Sequence, residues 1–499
     1  GDAPPYLAGE AISVRKVEIH EAYDMKRWWW KATDGIRETT WPGVYNRSRL
    51  PGRNDYFQLP DWDCYVDSGK AITFLMPEEP WNQLEVSGAA WGKMELLPAG
   101  TVGETAYNVK AESTLFERPK GQERTFHRLA TPVTGRAIRF TNVEQEQPIG
   151  ELVAYNVTTG REPAGAAKLA YRLTAAVPGA QFAPMVDFLT RRHPADERAM
   201  LVAQPIADVA PAGPVVAQPA TTASGLPIVH VLIPDNWDKM DGGLDGIAID
   251  LPALNVKPTH GGLFPLNLQV KDPSWLYRNA LDFSFSVKPG EAKTLWLDLR
   301  DRILPVGKGF FLTLAGAGGD FNAAMLEGAQ IRLVFKSREA ARAEHEIDRF
   351  TQARDNYAMM SEEHPRQERL NLWNRFEADL TELMRVNPRH DPGIYYAAAA
   401  GMGPVPPAKL GTPPAGVPLW AFRQAELLDR YRRFVDWYID HRQVEFGDFG
   451  GGLSDDDDLT NLFPGLAAMG ADPGKLAASS ARTLHALYKN GMFTNGIYT

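Results

Sequence analysis

The sequence predicts a multidomain chain in which antiparallel β-sandwich domains precede an all-α region. Up to about residue 336, short runs of alternating apolar and polar residues are separated by Gly- and Pro-rich turns, which is typical of antiparallel sheets. The pattern changes at Ser337: residues 337–360 are charged and poor in such turns, and apolar residues then recur at helical spacing. At roughly 150 residues per domain, the 499 residues correspond to about three domains, which we place at 1–160, 161–336 and 337–499.

Composition and charge exclude several classes of protein. Lys and Arg total 53 against 62 for Asp and Glu, a net charge of −9, whereas a nucleic-acid binder needs a basic surface. No apolar run reaches the ~18 residues of a transmembrane helix. The single cysteine, Cys64, excludes an internal disulfide framework and a Cys-based zinc site. The chain starts at Gly1 without Met, so we expect a secreted or periplasmic protein whose signal peptide has been removed, the alternative being a trimmed chain.

The first β region extends from residue 10 to 158. An apolar run over 71–77 and alternating residues at 84–86 predict strands ahead of a closing pair at 132–142 and 148–156. This pair reads Pro-Val-Thr-Gly-Arg-Ala-Ile-Arg and then Ile-Gly-Glu-Leu-Val-Ala-Tyr, and it resembles the last strands of galactose-binding, discoidin-like jelly rolls. The resemblance implies a jelly-roll sandwich and a non-catalytic, glycan-binding alternative for the function.

The second β region follows a predicted linker. Residues 204–226 are rich in Ala, Pro and Thr, a composition that buries little surface. Apolar residues then alternate cleanly over Leu281–Val287 and Leu295–Leu299, and residues 331–335 close the region. Strands bounded by Gly and Pro turns favour an antiparallel sandwich over βαβ units.

The helical region has long aromatic stripes and a Pro/Gly-rich break at 401–418. Apolar and charged periodicity predicts helices over 337–360, 366–386, 419–442, 456–470 and 473–490. Helices paired by loops favour an α/α-hairpin toroid or a bundle. A closed toroid of six hairpins needs about twice this length, so we expect an incomplete toroid at residue 499, or else a compact helical half-domain.

An acidic, Gly-rich loop between two predicted helices carries the clearest chemical signal. Residues 445–458 contain Glu445, Asp448 and the run Asp455–Asp458, with the aromatic residues Phe446 and Phe449 beside them as candidate substrate contacts. Hydrolysis of a glycosidic bond needs two carboxyl groups, one as the acid and one as the base or nucleophile. Apolar neighbours raise the pKa of one carboxyl group while a solvated one stays ionised. We therefore expect Glu445 with Asp448 or Asp455 as catalytic residues.

Two structural roles compete for the end of this loop. Ser454 followed by Asp457 resembles a capping box, and Asp residues in a first helical turn interact favourably with the helix dipole. Consecutive carboxylates also bind Ca²⁺, for which Asp456 and Asp458 would be the ligands, although the spaced Asp-x-Asp-x-Asp-Gly pattern is missing.

The loop resembles the Gly-rich acidic loops that follow the inner helices of α/α-toroid carbohydrate-active enzymes. Many glycosidases of that type carry a β-sandwich ahead of the toroid, the order that this sequence predicts, whereas many toroidal polysaccharide lyases have the reverse order. The resemblance therefore implies a glycoside hydrolase acting on a complex polysaccharide or oligosaccharide. It rests on architecture, and architecture alone does not assign function.

A second cluster suits a polysaccharide lyase acting by β-elimination on a uronate-containing glycan. Residues 387–396 contain His390 and Tyr395, and Arg442 ends the helix 419–442. These three residue types supply a base, an acid and a cation that neutralises the uronate. The alternative is a Pro-flanked turn in which His390 is hydrogen-bonded locally, with Arg442 stabilising a helix C-terminus.

Three adjacent tryptophans, Trp28, Trp29 and Trp30, form the other candidate binding feature. Neighbouring strand residues point to opposite faces, so the three rings do not share one core. They form either a platform on which sugar rings stack or a contact between domains. No phosphate-binding loop, dinucleotide fingerprint, Gly-x-Ser-x-Gly elbow or His-Glu-x-x-His motif occurs in the sequence.

Overall fold

The computed structural model describes most of the β regions and most of the helices. The described residues are 3–17, 57–58, 71–76, 78–88, 91–101, 109–122, 124–142, 151–195, 198–206, 228–238, 240, 242–361, 366–441, 443, 449, 460–489, 493–495 and 497–498. Among them, no helix has the length and apolar character needed to cross a membrane.

The strands of the first β region end at residue 159. They are β1 Ala11–Val17, β2 Phe57–Gln58, β3 Ala71–Leu75, β4 Trp81–Ser87, β5 Gly92–Leu96, β6 Ser113–Arg118, β7 Arg124–Val133, β8 Ala137–Asn142 and β9 Glu151–Thr159. The predicted strand over 132–142 is in fact two, because Gly135 adopts a φ of 54° and turns the chain between β7 and β8. The closing strand predicted at 148–156 corresponds to β9.

The second β region contains strands and one short helix that packs on them. Its elements are β10 Ala167–Thr174, α1 Ala183–Arg192, β11 Ala199–Pro205, β12 Ile228–Ile233, β13 Gly242–Leu251, β14 Phe264–Asp272, β15 Trp275–Val287, β16 Lys293–Arg302, β17 Phe310–Gly316 and β18 Gln330–Ser337. Because β11 extends to Pro205, the predicted linker is wrong at its first two residues. Residues 207–226 of the predicted linker lie outside the described residues.

One 14-stranded sheet joins the two β regions. Its order is β15-β14-β17-β12-β11-β10-β18-β13-β16-β1-β9-β4-β7, with β2 paired to β9. Most of its pairs are antiparallel, as expected, but the sheet is mixed, because β1 runs parallel to β16 and β11 runs parallel to β12. The β1–β16 pair, which places Ile12 opposite Leu295, carries the sheet across the predicted boundary at residue 160.

The sheet curls so that its two ends approach each other around one apolar core. Tyr155 on β9 donates a hydrogen bond of 2.8 Å to the backbone oxygen of Asp282 on β15, the strand at the opposite end of the sheet. The Tyr155 ring also contacts Phe283 edge-on at 5.1 Å. Inward-facing residues from both β regions, such as Val14 and Leu297, are buried in this shared core. Burial of these apolar side chains stabilises the arrangement.

A second sheet completes the first β region. Strands β3, β8, β5 and β6 pair in that order, and every pair is antiparallel. Arg118 on β6 is buried and joins the two sheets, because it donates to the Thr125 hydroxyl at 3.0 Å and to the backbone oxygen of Val86 at 3.4 Å. Thr125 and Val86 lie on β7 and β4 of the large sheet.

Helices follow the last strand of the second region directly, so a chain that is β first and α afterwards is confirmed. They are α2 Arg338–Ser361, α3 Arg366–Val386, α4 Asp391–Ala399, α5 Leu419–His441, α6 Phe463–Ala468 and α7 Pro473–Lys489, followed by a short hairpin of β19 Phe493–Thr494 and β20 Ile497–Tyr498. The helices expected at 337–360, 366–386 and 419–442 match α2, α3 and α5 closely. Closure of these helices into a toroid stays a prediction.

A buried network of charges fastens α2 and α3 to the sheet. Arg278 on β15 contacts Asp379 on α3 at 2.6 Å and Asp272 on β14 at 3.2 Å. Arg349 on α2 contacts the same two carboxylates, each at 2.8 Å. Arg302 on β16 adds an ion pair of 3.1 Å to Asp348. Three cations and three carboxylates are thereby balanced inside the protein, where an unpaired charge is strongly unfavourable.

The network sets the ionisation of its carboxylates. Burial alone would raise the pKa of Asp272, but the positive charges of Arg349, Arg278 and Arg302 outweigh it and hold that pKa well below the ordinary value. The same balance of burial against Arg302 and Arg349 lowers the pKa of Asp348. Asp272 and Asp348 are therefore ionised at neutral pH.

Removing one charge from this network will destabilise the fold. The Asp379→Asn substitution leaves Arg278 and Arg349 buried with too little negative charge, and we expect it to lower the free energy of unfolding by about 3–5 kcal/mol. Urea unfolding followed by far-UV circular dichroism measures this change. The matched control is Asp187→Asn, which breaks an exposed pair with Arg191 and should cost less than about 1 kcal/mol. Equal, small losses in both variants would contradict a stabilising role of the network.

Candidate functional site

Most of the residues that the sequence analysis selected lie outside the described residues. These are Trp28, Trp29, Trp30, Arg442, Glu445, Phe446, Asp448, Asp455, Asp456 and Asp458. The catalytic carboxylates, the tryptophan platform and the Ca²⁺ ligands therefore stay predictions. Among the described residues, no group of His, Cys, Asp and Glu side chains is arranged to hold a metal ion.

His390 caps a helix. It precedes the first residue of α4, and its Nδ1 accepts a hydrogen bond of 3.0 Å from the backbone N–H of Gly393. Burial lowers its pKa, an effect that the carboxylate of Glu346 partly offsets. These contacts match the locally bonded turn that the sequence left open as the alternative to a catalytic base.

The other two described candidates lie in different surroundings. Tyr395 is on α4 with 48% of its surface exposed. Phe449 has only 3% exposed and packs edge-on against Phe463 at 6.2 Å, in a cluster formed with Val435 on α5. At Phe449 the ring contributes to the core of the last helices, which is a structural role.

The structure contains a cleft that the sequence analysis did not identify. It lies on the outer face of the large sheet, between α1 and α3, and has a volume of about 760 Å³. Its lining residues come from four strands and two helices and are Phe188, Arg192, His193, Ile228, His230, Asn267, Gln269, Lys271, Trp275, Leu276, Tyr277, Asn279, Asp282, Phe311, Thr313, Ala315, Asn374 and Arg375. A cavity of this size accommodates a small molecule or a segment of a polymer.

Strand alternation produces the polar floor of the cleft. On β14, Leu266, Leu268 and Val270 point inward and are buried in the core, whereas the residues between them point outward. Those outward residues are Asn267, Gln269 and Lys271. The period of two therefore places an amide, a second amide and an amine in a row on the face opposite the core.

A row of polar side chains crosses this floor perpendicular to the strands. Asp282, Gln269, Thr313 and His230 lie directly opposite one another on β15, β14, β17 and β12. Gln269 Nε2 donates to Asp282 at 3.3 Å, and His230 Nδ1 lies 3.0 Å from the Thr313 hydroxyl. Asn267 donates to the other oxygen of Asp282 at 2.8 Å. We call this set the polar row.

Lys271 lies next to the polar row and has an unusual ionisation. Its Nζ donates to Asn279 Oδ1 at 2.6 Å and to Gln269 Oε1 at 3.2 Å, and both acceptors are neutral amides. Burial lowers the pKa of Lys271 to about 8; Asp282 opposes this shift and the charge of Arg192 adds to it. Near neutral pH a fraction of this amine is therefore unprotonated.

Aromatic rings and guanidinium groups form the wall of the cleft. Trp275 and Tyr277 are 5.5 Å apart between ring centroids and inclined by 30°. The guanidinium of Arg192 lies 3.9 Å from the centroid of Tyr277, and that of Arg375 lies 5.7 Å from Trp275. Phe188 contacts Tyr277 edge-on at 4.9 Å. Cation–π contacts of this kind favour the position of each guanidinium group near its ring.

Two different interactions position the helices that bound the cleft. Helix α1 is held by apolar packing, in which Met185 and Leu189 contact Leu232 and Phe311 on the outer face of the sheet. Helix α3 is held by Asp379, which joins the buried charge network one turn after Arg375. The width of the cleft is thus fixed by a hydrophobic contact on one side and by ion pairs on the other.

A sequence signal for this cleft exists. Polar residues that alternate strictly with buried aliphatic residues, as in Leu266–Lys271, predict a strand face that carries specific polar side chains. The aromatic pair Trp275 and Tyr277, two positions apart at the start of the next strand, extends that face. Recognising the site would also require knowing that β14 pairs with β17 and β15, which spacing along the chain does not provide.

Comparison with known proteins identifies no relative. No protein-family model matches the chain, and no curated protein matches it. A proposed alpha-L-fucosidase from Bacteroides ovatus aligns at 10% identity with a TM-score of 0.15. The alignment covers 53% of this chain and 36% of the length of that protein. A tandem CBM22 domain of Xyn10C from Paenibacillus barcinonensis aligns at 8% identity over 61% of this chain and 100% of that one, also with a TM-score of 0.15.

These structural similarities are too low to support an argument about fold or function. A structure from infectious bursal disease virus reaches the same TM-score of 0.15, at 9% identity over 66% of this chain and 71% of that one. Proteins from unrelated contexts are therefore equally similar to this chain. The function has to be inferred from the residues of the site.

The ionisation of Lys271 can be measured directly. After reductive methylation with isotope-labelled formaldehyde, we expect the Lys271 signal to titrate in NMR spectra with a midpoint of about 8, against about 10.4 for an unperturbed lysine. Because the folded pKa is the lower one, the contribution of Lys271 to stability is least favourable below the folded pKa and improves as pH rises from there towards the unfolded value. The Lys271→Arg variant identifies the signal by its loss. A midpoint near the unperturbed value would contradict this description.

Proposed function

We propose that the protein is a carbohydrate-binding protein that holds a glycan in the cleft on the outer face of the large sheet. The observation that carries the proposal is that the polar row of Asp282, Gln269, Thr313 and His230 lines the same cleft as the exposed ring of Tyr277. Tyr277 has 43% of its surface exposed.

The chemistry of a sugar matches both parts of this cleft. A pyranose ring presents hydroxyl groups at its edge, each of which donates and accepts hydrogen bonds. Asn267 and Gln269 supply amide donors and acceptors, and the Thr313 hydroxyl does the same. The ring also has apolar C–H faces, which pack on aromatic rings such as Trp275 and Tyr277. An apolar ligand would cover these polar side chains and offer them no hydrogen bonds in place of those they make to water, which is unfavourable.

The enzymatic form of the proposal is a carbohydrate-active enzyme that cleaves glycosidic bonds outside the cytoplasm. Among the lining residues that the structure describes, Asp282 is the one carboxylate, whereas glycoside hydrolysis uses two. In this form of the proposal the acid and the base are carboxylates predicted from the sequence of the acidic loop 445–458, namely Glu445 with Asp448 or Asp455. A lyase acting on a uronate-containing glycan, with His390, Tyr395 and Arg442, is the rival assignment.

Glycan binding will depend on the aromatic wall. We expect Trp275→Ala and Tyr277→Ala each to weaken glycan binding by about tenfold, because each removes an aromatic contact worth roughly 1 kcal/mol or more. A glycan array selects the ligand, and isothermal titration calorimetry measures the change in affinity. The control is Trp420→Ala, which removes a ring that is 68% exposed on α5. Equal weakening by the control, or no ligand on the array, would reject the cleft as a glycan site.

Product analysis separates the enzymatic alternatives. A lyase leaves an unsaturated sugar that absorbs at ~235 nm, and a hydrolase does not. On a substrate that the wild-type protein cleaves, we expect Glu445→Gln and Asp448→Asn to reduce kcat at least about a hundredfold, since each removes a proton-transfer group. The binding variant Tyr277→Ala should instead raise KM. Wild-type turnover in both carboxylate variants would reject the acidic-loop assignment, and turnover of any glycan would reject a protein that only binds.

A further inference from the structure

The charges that line the cleft are mostly positive, although the chain as a whole has a net charge of −9. Among the described lining residues, Lys271, Arg192 and Arg375 carry cationic groups and Asp282 is the one carboxylate. Asp282 accepts hydrogen bonds from Asn267 and Gln269, and Arg124 on β7 lies 3.7 Å from the same carboxylate. The carboxylate of Asp282 is therefore compensated by groups of the protein itself.

We propose that the glycan held in this cleft is anionic, and that Arg192 and Lys271 bind its carboxylate or sulfate group; the inference rests on the proposed glycan-binding function. Uronate and sulfated sugars share the chemistry that matters here, which is a planar or tetrahedral group of oxygen atoms with a negative charge. Arg and Lys side chains bind such groups through charge-assisted hydrogen bonds, which are stronger than bonds between neutral groups.

Arg192 is held ready for such a group. Its guanidinium lies 3.9 Å from the centroid of Tyr277 and 5.2 Å from that of Phe188, so two rings fix its position at the mouth of the cleft. No carboxylate among the described residues pairs with it. The N–H groups of a guanidinium lie in its own plane and point outward, so a neighbouring aromatic ring leaves them available to a bidentate anion.

Lys271 supplies the second positive charge deeper in the cleft. Its Nζ contacts the amide oxygens of Asn279 and Gln269. An anion that approaches Nζ favours the charged form of the amine and raises the lowered pKa of Lys271. Binding should therefore take up protons near the pKa of the free site, and affinity should rise as pH falls through that value.

Other charged and titratable groups also face Lys271 and contribute to the pH dependence of binding. Asp282 and Arg192 act on it electrostatically. Arg375 lines the α3 side of the cleft, and His230 and His193, whose rings are 4.9 Å apart, line the α1 side. The Lys271→Met variant keeps both histidines, so the difference between its pH dependence and that of the wild-type protein isolates the contribution of Lys271.

The test compares matched acidic and neutral glycans. An array of neutral, uronate-containing and sulfated oligosaccharides is probed first, and titration calorimetry then compares the best uronate ligand with its methyl ester, in which the charge is absent. We expect the free acid or the sulfated ligand to bind at least about tenfold more tightly, because a charge-assisted contact is worth roughly 1.5–3 kcal/mol. A preference for uronates identifies a carboxylate site, and a preference for sulfated ligands identifies a sulfate site.

Variants assign the preference to the two residues. Lys271→Met and Arg192→Gln should each remove most of the discrimination between acid and ester, and Lys271→Met should also abolish proton uptake in buffers of different ionisation enthalpy. Arg191→Gln is the matched control, because Arg191 is the neighbouring residue on α1 and pairs with Asp187 outside the cleft. Equal affinities for the acid and the ester would reject the proposal that the ligand is anionic, but would leave the proposed glycan site intact. Failure of every oligosaccharide on the array overturns both proposals.

Discussion

The buried charge network between β14, β15, β16 and the hairpin of α2 and α3 is the constraint on which the cleft depends. Arg278 and Arg349 each contact both Asp272 and Asp379, so strands and helices share the same carboxylates. Desolvation of so many charges offsets much of their attraction, and the main effect of such a network is to select one arrangement. If α3 slid along the sheet, Asp379 would move away from Arg278 and Arg349, and these buried charges would lose their partners.

The network connects the fold to the site through short stretches of chain. Asp379 and Arg375 are one turn apart on α3, and Arg278 is flanked on β15 by Tyr277 and Asn279, which line the cleft. Neighbouring strand residues point to opposite faces, so a buried arginine at position 278 fixes the direction of the residues beside it. Positioning a helix and orienting a strand face are consequences of the same ion pairs.

Local periodicity predicted much of the secondary structure, and for a physical reason. Helix α3 buries one face, with Phe376, Leu380 and Leu383 in a core cluster, so its apolar spacing is visible in the sequence. Strand β14 alternates because one of its faces is in the core. The pairing partner of a strand, by contrast, is not visible in local spacing. β1 runs beside β16, and Ile12 lies opposite Leu295, a contact that no local pattern encodes. The continuity of the large sheet across residue 160 was therefore not predictable from spacing.

The site was harder to predict than the fold because its residues are far apart in the sequence. Motif reading favours contiguous residues, such as the acidic run Asp455–Asp458, whereas the cleft combines Arg192, Lys271 and Arg375 from three elements. Buried charges such as Asp272 within a strand are a further signal of tertiary pairing. Their partners, however, are revealed only when the helices are placed against the sheet.

The contrast between a positive cleft and a negative chain determines how an anionic glycan would be selected. At physiological ionic strength charges are screened over about 8 Å, so the net charge of −9 has little effect on a ligand already in the cleft. Arg192 and Lys271 act at contact distance and are screened less. Lowering the salt concentration would strengthen those contacts but also extend the repulsion from the rest of the surface. Selectivity for an anion would therefore come from contact geometry in the cleft, with no contribution from long-range attraction.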